Sequence, residues 1–169
     1  MSAPGRPKRE LLPLGGKARS AKGAPMSAAA PDHTTKENTM QVLLPAGWPR
    51  PKGYSNGVAA TGRQVYIAGM IGWTPEGKFE SDDFADQARQ ALRNIVAVLR
   101  EAGGEPAHIV RMTWYVTDKR EYLAAGKAVG QAFREIIGAY NAAMTAVEVS
   151  ALLEDRAKVE IEATAVIPA

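Results

Sequence analysis

Two glutamates near the C-terminus and a serine near the start of the body are the first places where residue type and spacing could do chemistry. Glu160 and Glu162 stand two residues apart within the alternating run Lys158–Glu162. In a strand, that alternation puts both carboxylates on one face, with Val159 and Ile161 on the other. Two carboxylates facing one way suit a general acid–base pair. They equally suit a solvated edge face, and composition favours that plainer reading. Glu148, between Val147 and Val149, carries the same ambiguity. Gly53-Tyr54-Ser55-Asn56-Gly57 matches G-x-S-x-G, the nucleophile-elbow pattern. An elbow needs a strand before the serine and a helix after it. Here Pro49 and Pro51 precede it, a strand pair follows, and only His108 lies downstream as a base. The context therefore argues against a serine hydrolase. Trp73 and Trp114 suit a pocket wall, although aromatics at strand positions are more often core. Arg111 suits an anion contact and, more simply, a surface charge. There is no P-loop, no G-x-G-x-x-G and no metal-ligand spacing, so no metal is expected.

These side chains need elements to hold them. Met40–Leu44 alternates weakly and reads as a first strand. Residues 57–61 and 64–68 read as two strands joined by a hairpin turn at Gly62-Arg63. Gly69 and Gly72 bracket Met70 and Ile71, where a bulge or a close ligand approach is expected. Ser81, Asp82 and Asp83 open a helix whose apolar positions Ala85, Ala88, Leu92, Ile95, Val96 and Leu99 share a face, and Gly103-Gly104 closes it. Ile109–Thr117 reads as a strand with Val110, Met112, Trp114 and Val116 on one side and Ile109, Arg111, Thr113 and Tyr115 on the other. Asp118 caps a second helix, with Glu121 in capping-box position, running to about Ala139. Thr145–Leu152 and Lys158–Val166 close the chain as two strands. The expected fold class is α/β in the α+β sense: strands with helices packed on one sheet face.

Composition narrows the function. The 169 residues contain no cysteine and only two histidines, which excludes disulfides, thiolate nucleophiles and Cys-ligated metals. Of 21 Lys/Arg and 18 Asp/Glu, residues 1–40 hold seven and three, so the remaining chain carries 14 bases and 15 acids. The body thus has no basic bias, and nucleic acid is not the expected partner. Residues 1–39, rich in Pro, Gly, Ala and Ser, read as a disordered basic arm, with translation starting at Met26 or Met40 as an open alternative. No run approaches the length of a membrane span, so no membrane partner is expected.

The combination of Gly53–Gly57, the strand ending at Gly69, the two helices and the closing runs Val147–Val149 and Val159–Ala163 resembles the Rid family, also called YjgF and, in older usage, endoribonuclease L-PSP. The resemblance covers residues 40–168, and its C-terminal block is the most specific part. It implies a chorismate-mutase-like six-stranded sheet with two helices on one side. It also implies a homotrimeric barrel with ligand clefts between subunits, in the cytoplasm. The implied activity is cofactor-free hydrolysis of reactive enamines and imines, such as 2-aminoacrylate and its imine tautomer, to a 2-keto acid and ammonia.

Carried over residue by residue, the family's N-terminal tyrosine falls on Tyr54, its cleft glycine on Gly69 and its last-strand glutamate on Glu160. Tyr54 and Glu160 are the implied catalytic pair. Gly69, Met70, Ile71, Trp73, Met144, Thr145 and Ala146 are the implied substrate contacts. Three positions depart. The arginine that holds a substrate carboxylate in the family's deaminases is Met144 here. The serine before the cleft glycine is Ala68, and a polar residue of the second helix is Gly126. Methionine cannot pair with a carboxylate, and a buried unpaired carboxylate costs several kcal/mol. The substrate is therefore expected to be larger or less acidic than a small 2-imino acid, in a cleft made more apolar by Met70, Met144 and Trp73. A trimer that binds a small metabolite or a partner protein without catalysis is the alternative, and a ribonuclease the remote one.

Overall fold

The computed structural model describes residues 40–139 and 141–169, and the predicted arm at residues 1–39 lies outside them. Six strands form: β1 (Met40–Leu43), β2 (Gly57–Ala60), β3 (Arg63–Ile71), β4 (Ile109–Val116), β5 (Ala143–Glu148) and β6 (Val159–Ile167). Three α-helices lie between them: α1 (Phe84–Glu101), α2 (Lys119–Ala124) and α3 (Gly126–Ile136). β3, β6, β4 and β5 make a four-stranded sheet in that order, and β1 and β2 make a separate two-stranded ribbon. β6 runs antiparallel to β3 and β4, whereas β5 is parallel to β4. The α2–α3 segment supplies the crossover that a parallel pair requires.

α1 forms where expected because its apolar residues recur at helical spacing and both ends are capped. Asp83 accepts from the backbone N–H of Ala85 and Asp86. At the other end Gly103 takes φ +72°, its N–H bonds Arg100 O, and the Gly104 N–H bonds Leu99 O. This is the Schellman closure that glycine allows at no steric cost. The buried face (Phe84, Ala88, Leu92, Ile95, Leu99) meets Met112, Trp114, Val116, Val159 and Ile161 from the sheet. Each large side chain so buried contributes about 1.5–3 kcal/mol of hydrophobic stabilisation.

Three local expectations are corrected. The turn at Gly62-Arg63 does not join a hairpin: β2 pairs with β1, and β3 pairs with β6. Gly62 has φ +150°, outside the geometry of the tight primed turns that would return β3 alongside β2. The second helix is two helices. Ala125, with φ −78° and ψ −2°, ends α2 and starts α3, and the flexible Gly126 follows it. Glu121 does not complete a capping box but pairs with the Lys158 ammonium, which ties α2 to the start of β6. The Asp118 half of the box forms, with bonds from the N–H of Arg120 and Glu121.

Arg89 of α1 and Glu135 of α3 form an ion pair across the helix layer. The Arg89 hydrogen bond first, and a second from Gln131, hold the Glu135 carboxyl below its ordinary value. A depressed carboxyl pKa contributes stability that is present above the unfolded value and is lost as pH falls through the folded value. Both groups are solvent-accessible, so the contribution is small and salt-screened. Arg89→Met is expected to lower Tm slightly at pH 7 in low salt. The difference should vanish at pH 3 and in 1 M salt; a constant deficit would mean that the arginine stem, not its charge, carries the effect.

Candidate functional site

β6 alternates as its sequence requires. Val159, Ile161, Ala163 and Ala165 are buried under the helices, and Glu160, Glu162 and Thr164 are half-buried on the opposite, open face. Glu160 stands between Ile71 of β3 and Tyr115 of β4. The β3–β6 register shifts between Ile67 and Met70, which makes a bulge at Ala68 and Gly69. The Glu160 carboxylate lies directly over that bulge: a Cβ on Gly69 would overlap Glu160 Oε1. Glycine is needed here for the close approach. Bulges of this kind commonly re-aim side chains beside functional sites. Beside Glu160, the Tyr115 hydroxyl donates to Glu162 Oε1 at 3.3 Å. Partial burial first, then the Glu162 carboxylate, push the Tyr115 phenol above its ordinary value, so it stays a donor. Tyr66, Arg111, Thr113 and Glu162 line an open hollow on this same face. Thr113 Oγ1 is buried there without a hydrogen-bond partner among the described residues.

The other predicted residues gather elsewhere. Tyr54, Met144, Thr145 and Ala146 border a cavity of about 550 Å³ between the α2–α3 layer and the edge strand β5. Trp114, Tyr122, Leu123, Val129 and Phe133 form its apolar wall, and Lys52, Gly126 and Gly130 complete it. Trp114 and Tyr122 have ring centroids 6.4 Å apart, and Tyr122 and Phe84 5.9 Å. The Trp114 indole Nε1–H is buried without an acceptor among the described residues. The loop that carries Tyr54 is pinned to β5. Gly53 takes φ +85°, and the Ser55 N–H then bonds Ala142 O at 2.9 Å, with Ser55 bridging to Ala143. Ser55 is 6% exposed and leads into β2, not a helix, so it makes no nucleophile elbow.

The predicted residues therefore form two groups. Gly69 lies with Glu160, and Ile71 pairs with Glu160 in the register. Met70 packs against the core, and Trp73 stands apart in a hollow with Phe79, Leu153 and Arg156. Tyr54, Met144, Thr145 and Ala146 form the second group. Met144 stands opposite Met112, and Met112 opposite Ala163, three residues along β6 from Glu160. Strand spacing and rise put the Met144 and Glu160 backbones roughly 14 Å apart within one chain. Met144 also packs against the core, on the helix side of the sheet, while Glu160 faces away. Lys52, Tyr122, Gly130 and Phe133 were not foreseen, nor was Tyr115 as a neighbour of Glu160. Only for Tyr115 was a signal available: it alternates onto the face opposite Trp114. Among the described residues, no group of three or more His, Asp or Glu is arranged to hold a metal ion. No helix among them is long and apolar enough to cross a membrane.

A small mixed sheet with its helices on one face, a glutamate over a glycine bulge and a cavity at the edge strand is an architecture with known relatives. The sequence pattern of the family described as Endoribonuclease L-PSP matches residues 49–167, and the chain belongs to this family, the Rid or YjgF family. A RutC family protein of Pyrococcus horikoshii is 35% identical over 127 residues, covering 74% of this chain and 96% of the relative. The 2-iminobutanoate/2-iminopropanoate deaminase of Salmonella typhimurium is 36% identical over 105 residues, 62% of this chain and 80% of that one. The crystal structure of a Rid family protein from Yersinia pestis superposes with a TM-score of 0.68 at 33% identity, covering 76% of this chain and 99% of that one.

Proposed function

We propose that the chain is a hydrolytic deaminase of enamines and imines, working as a trimer whose clefts lie between subunits. In each cleft, water adds to the C=N carbon as Glu160 accepts its proton. Glu160 returns that proton to nitrogen to give the carbinolamine. It then takes the hydroxyl proton and passes it to the departing nitrogen as the C–N bond breaks and the C=O bond forms, releasing a keto compound and ammonia. Tyr54 hydrogen-bonds the substrate or its leaving nitrogen. Gly69 leaves the Glu160 carboxylate room to approach. The chemistry needs water and no cofactor. Met144 gives no charged partner to a substrate carboxylate, so small 2-imino acids are poor substrates.

The single observation that carries this reading is the separation of the two groups. Glu160 with Gly69, and Tyr54 with Met144, lie on opposite sides of one sheet. One chain cannot close both onto a substrate a few ångström across, whereas a rotated second copy can bring one group over the other. The same relatives support the reaction class, since one of them is a 2-iminobutanoate/2-iminopropanoate deaminase.

The test generates imines in situ with an amino-acid oxidase, with semicarbazide as the competing trap. Wild type should shorten the life of the imine and release ammonia. Glu160→Gln and Tyr54→Ala should each be inactive alone. Co-assembled in equal amounts, they should recover about a quarter of wild-type activity, because a quarter of randomly mixed clefts receive both intact halves. No recovery in a verified mixed trimer would place both residues in one subunit's site and sink the shared cleft. No turnover of any imine by wild type would favour the non-catalytic binding role.

A further inference from the structure

We propose that the cavity beside Met144 takes the aromatic side chain of a carboxylate-bearing substrate, and that Lys52 supplies the counter-charge that Met144 does not. The inference rests on the imine-hydrolase reading of this site and names its substrate class: 2-imino acids with a ring on the side chain.

Size comes first. A cavity of about 550 Å³ is far larger than a three-carbon imino acid needs. It falls in the range of sites that enclose ring-sized ligands. Its wall is aromatic, with Trp114, Tyr122 and Phe133 bordering one space. Aromatic walls bind rings edge-on or offset, beyond the gain from buried area. Gly126 widens the space further, since a Cβ built there meets nothing within 4 Å.

Charge comes second. Among the described residues that border the cavity, Lys52 is the only one with a full charge. It has no ion pair or hydrogen bond among the described residues. Its loop is not free to drift. Gly53 at φ +85° turns the chain, and two residues on Ser55 is held to Ala142 and Ala143, next to Met144. Lys52 is exposed, whereas Trp114 and Phe133 on the same cavity are buried, so the charge borders the solvent side of an apolar space. A ligand with a carboxylate at one end and a ring at the other matches that order.

Binding of stable keto analogues tests this without turnover. Titrations of wild type with phenylpyruvate, pyruvate and phenylacetone separate ring from carboxylate. Phenylpyruvate should bind at least tenfold tighter than pyruvate, from burial of the ring. It should bind about five- to tenfold tighter than phenylacetone, and this second ratio should shrink with salt. Lys52→Met should erase the phenylpyruvate–phenylacetone difference, and Lys52→Arg should keep it. Gly126→Val should erase the preference for phenylpyruvate over pyruvate. Equal binding of phenylpyruvate and pyruvate by wild type, or an unchanged carboxylate ratio in Lys52→Met, would overturn the proposal. If the alanine-derived imine is turned over while those ratios are flat, the substrate assignment fails and the deaminase reading stands. If the ratios hold but no phenylalanine-derived imine is hydrolysed, the ligand assignment stands and the deaminase reading fails.

Discussion

Glu160→Gln should lower kcat for imine hydrolysis by about 10²- to 10⁴-fold, the usual worth of a positioned general base. The folded protein should be almost unaffected. Glu160 is half-buried, and among the described residues no hydrogen bond or ion pair holds its carboxylate. An amide of the same shape therefore abandons no structural partner. It does lose the ability to take a proton from water. Gly69→Ala gives the same prediction by another route. The new methyl would overlap Glu160 Oε1, the far end of a side chain that can swing away. The carboxylate should move while the strands stay, so kcat should fall with little change in Tm. Kinetics and thermal melts on both variants decide the matter. Unchanged kcat in Glu160→Gln would remove it from the chemistry, and a Tm loss of many degrees would make it a structural residue.

Gln87→Leu should destabilise the protein by about 3–5 kcal/mol, the largest stability effect expected of a single change outside the apolar core. Gln87 is 1% exposed, on the buried face of α1. Its amide nitrogen donates to Ser81 O at 3.1 Å and to Arg156 O at 3.0 Å. Its amide oxygen accepts from the Lys158 N–H at 2.9 Å. Leucine fills a similar volume but satisfies none of these three backbone groups. Each group left buried and unpaired costs about 1–3 kcal/mol, partly relieved by water or local movement. Gly72 shows how tightly this region closes, since a Cβ there would lie 2.6 Å from the Gln87 Cα. Urea unfolding should show a lower midpoint with an unchanged slope. Gln87 anchors the residues just before β6, so the variant should also loosen Glu160 and weaken activity at temperatures where it remains folded. A loss under 1 kcal/mol would mean that the three backbone groups find other partners.

Much of the local structure was legible because it depends on near neighbours. The apolar spacing and the Asp83 and Gly103 caps of α1 lie within the helix or a turn beyond it. The alternation of β4 and β6 placed Glu160 and Glu162 together before any partner strand was known. The same adjacency carried the family pattern, which lives in short runs such as Gly53–Gly57 and Val159–Ala163. The pairing at Gly62 is not legible in the sequence, because two short apolar runs beside a glycine do not say which strand each prefers, and β2 takes β1. The split at Ala125 is not legible either, because helix periodicity continues across it while one helix ends and the next begins there.

The sequence by itself determined the element types, the family, and the identity of Glu160, Gly69, Tyr54 and Met144 as the residues to examine. Only the tertiary structure decided their grouping. It set Glu160 over Gly69 on the open face and Tyr54 with Met144 at a cavity under the helices. It also brought Lys52 to that cavity and joined Gln87 to Arg156 and Lys158, about seventy residues on. The reason is physical. Periodicity reports which face a side chain takes on its own element. Distances between elements are set by strand register and helix packing, which bring together residues that no local spacing relates.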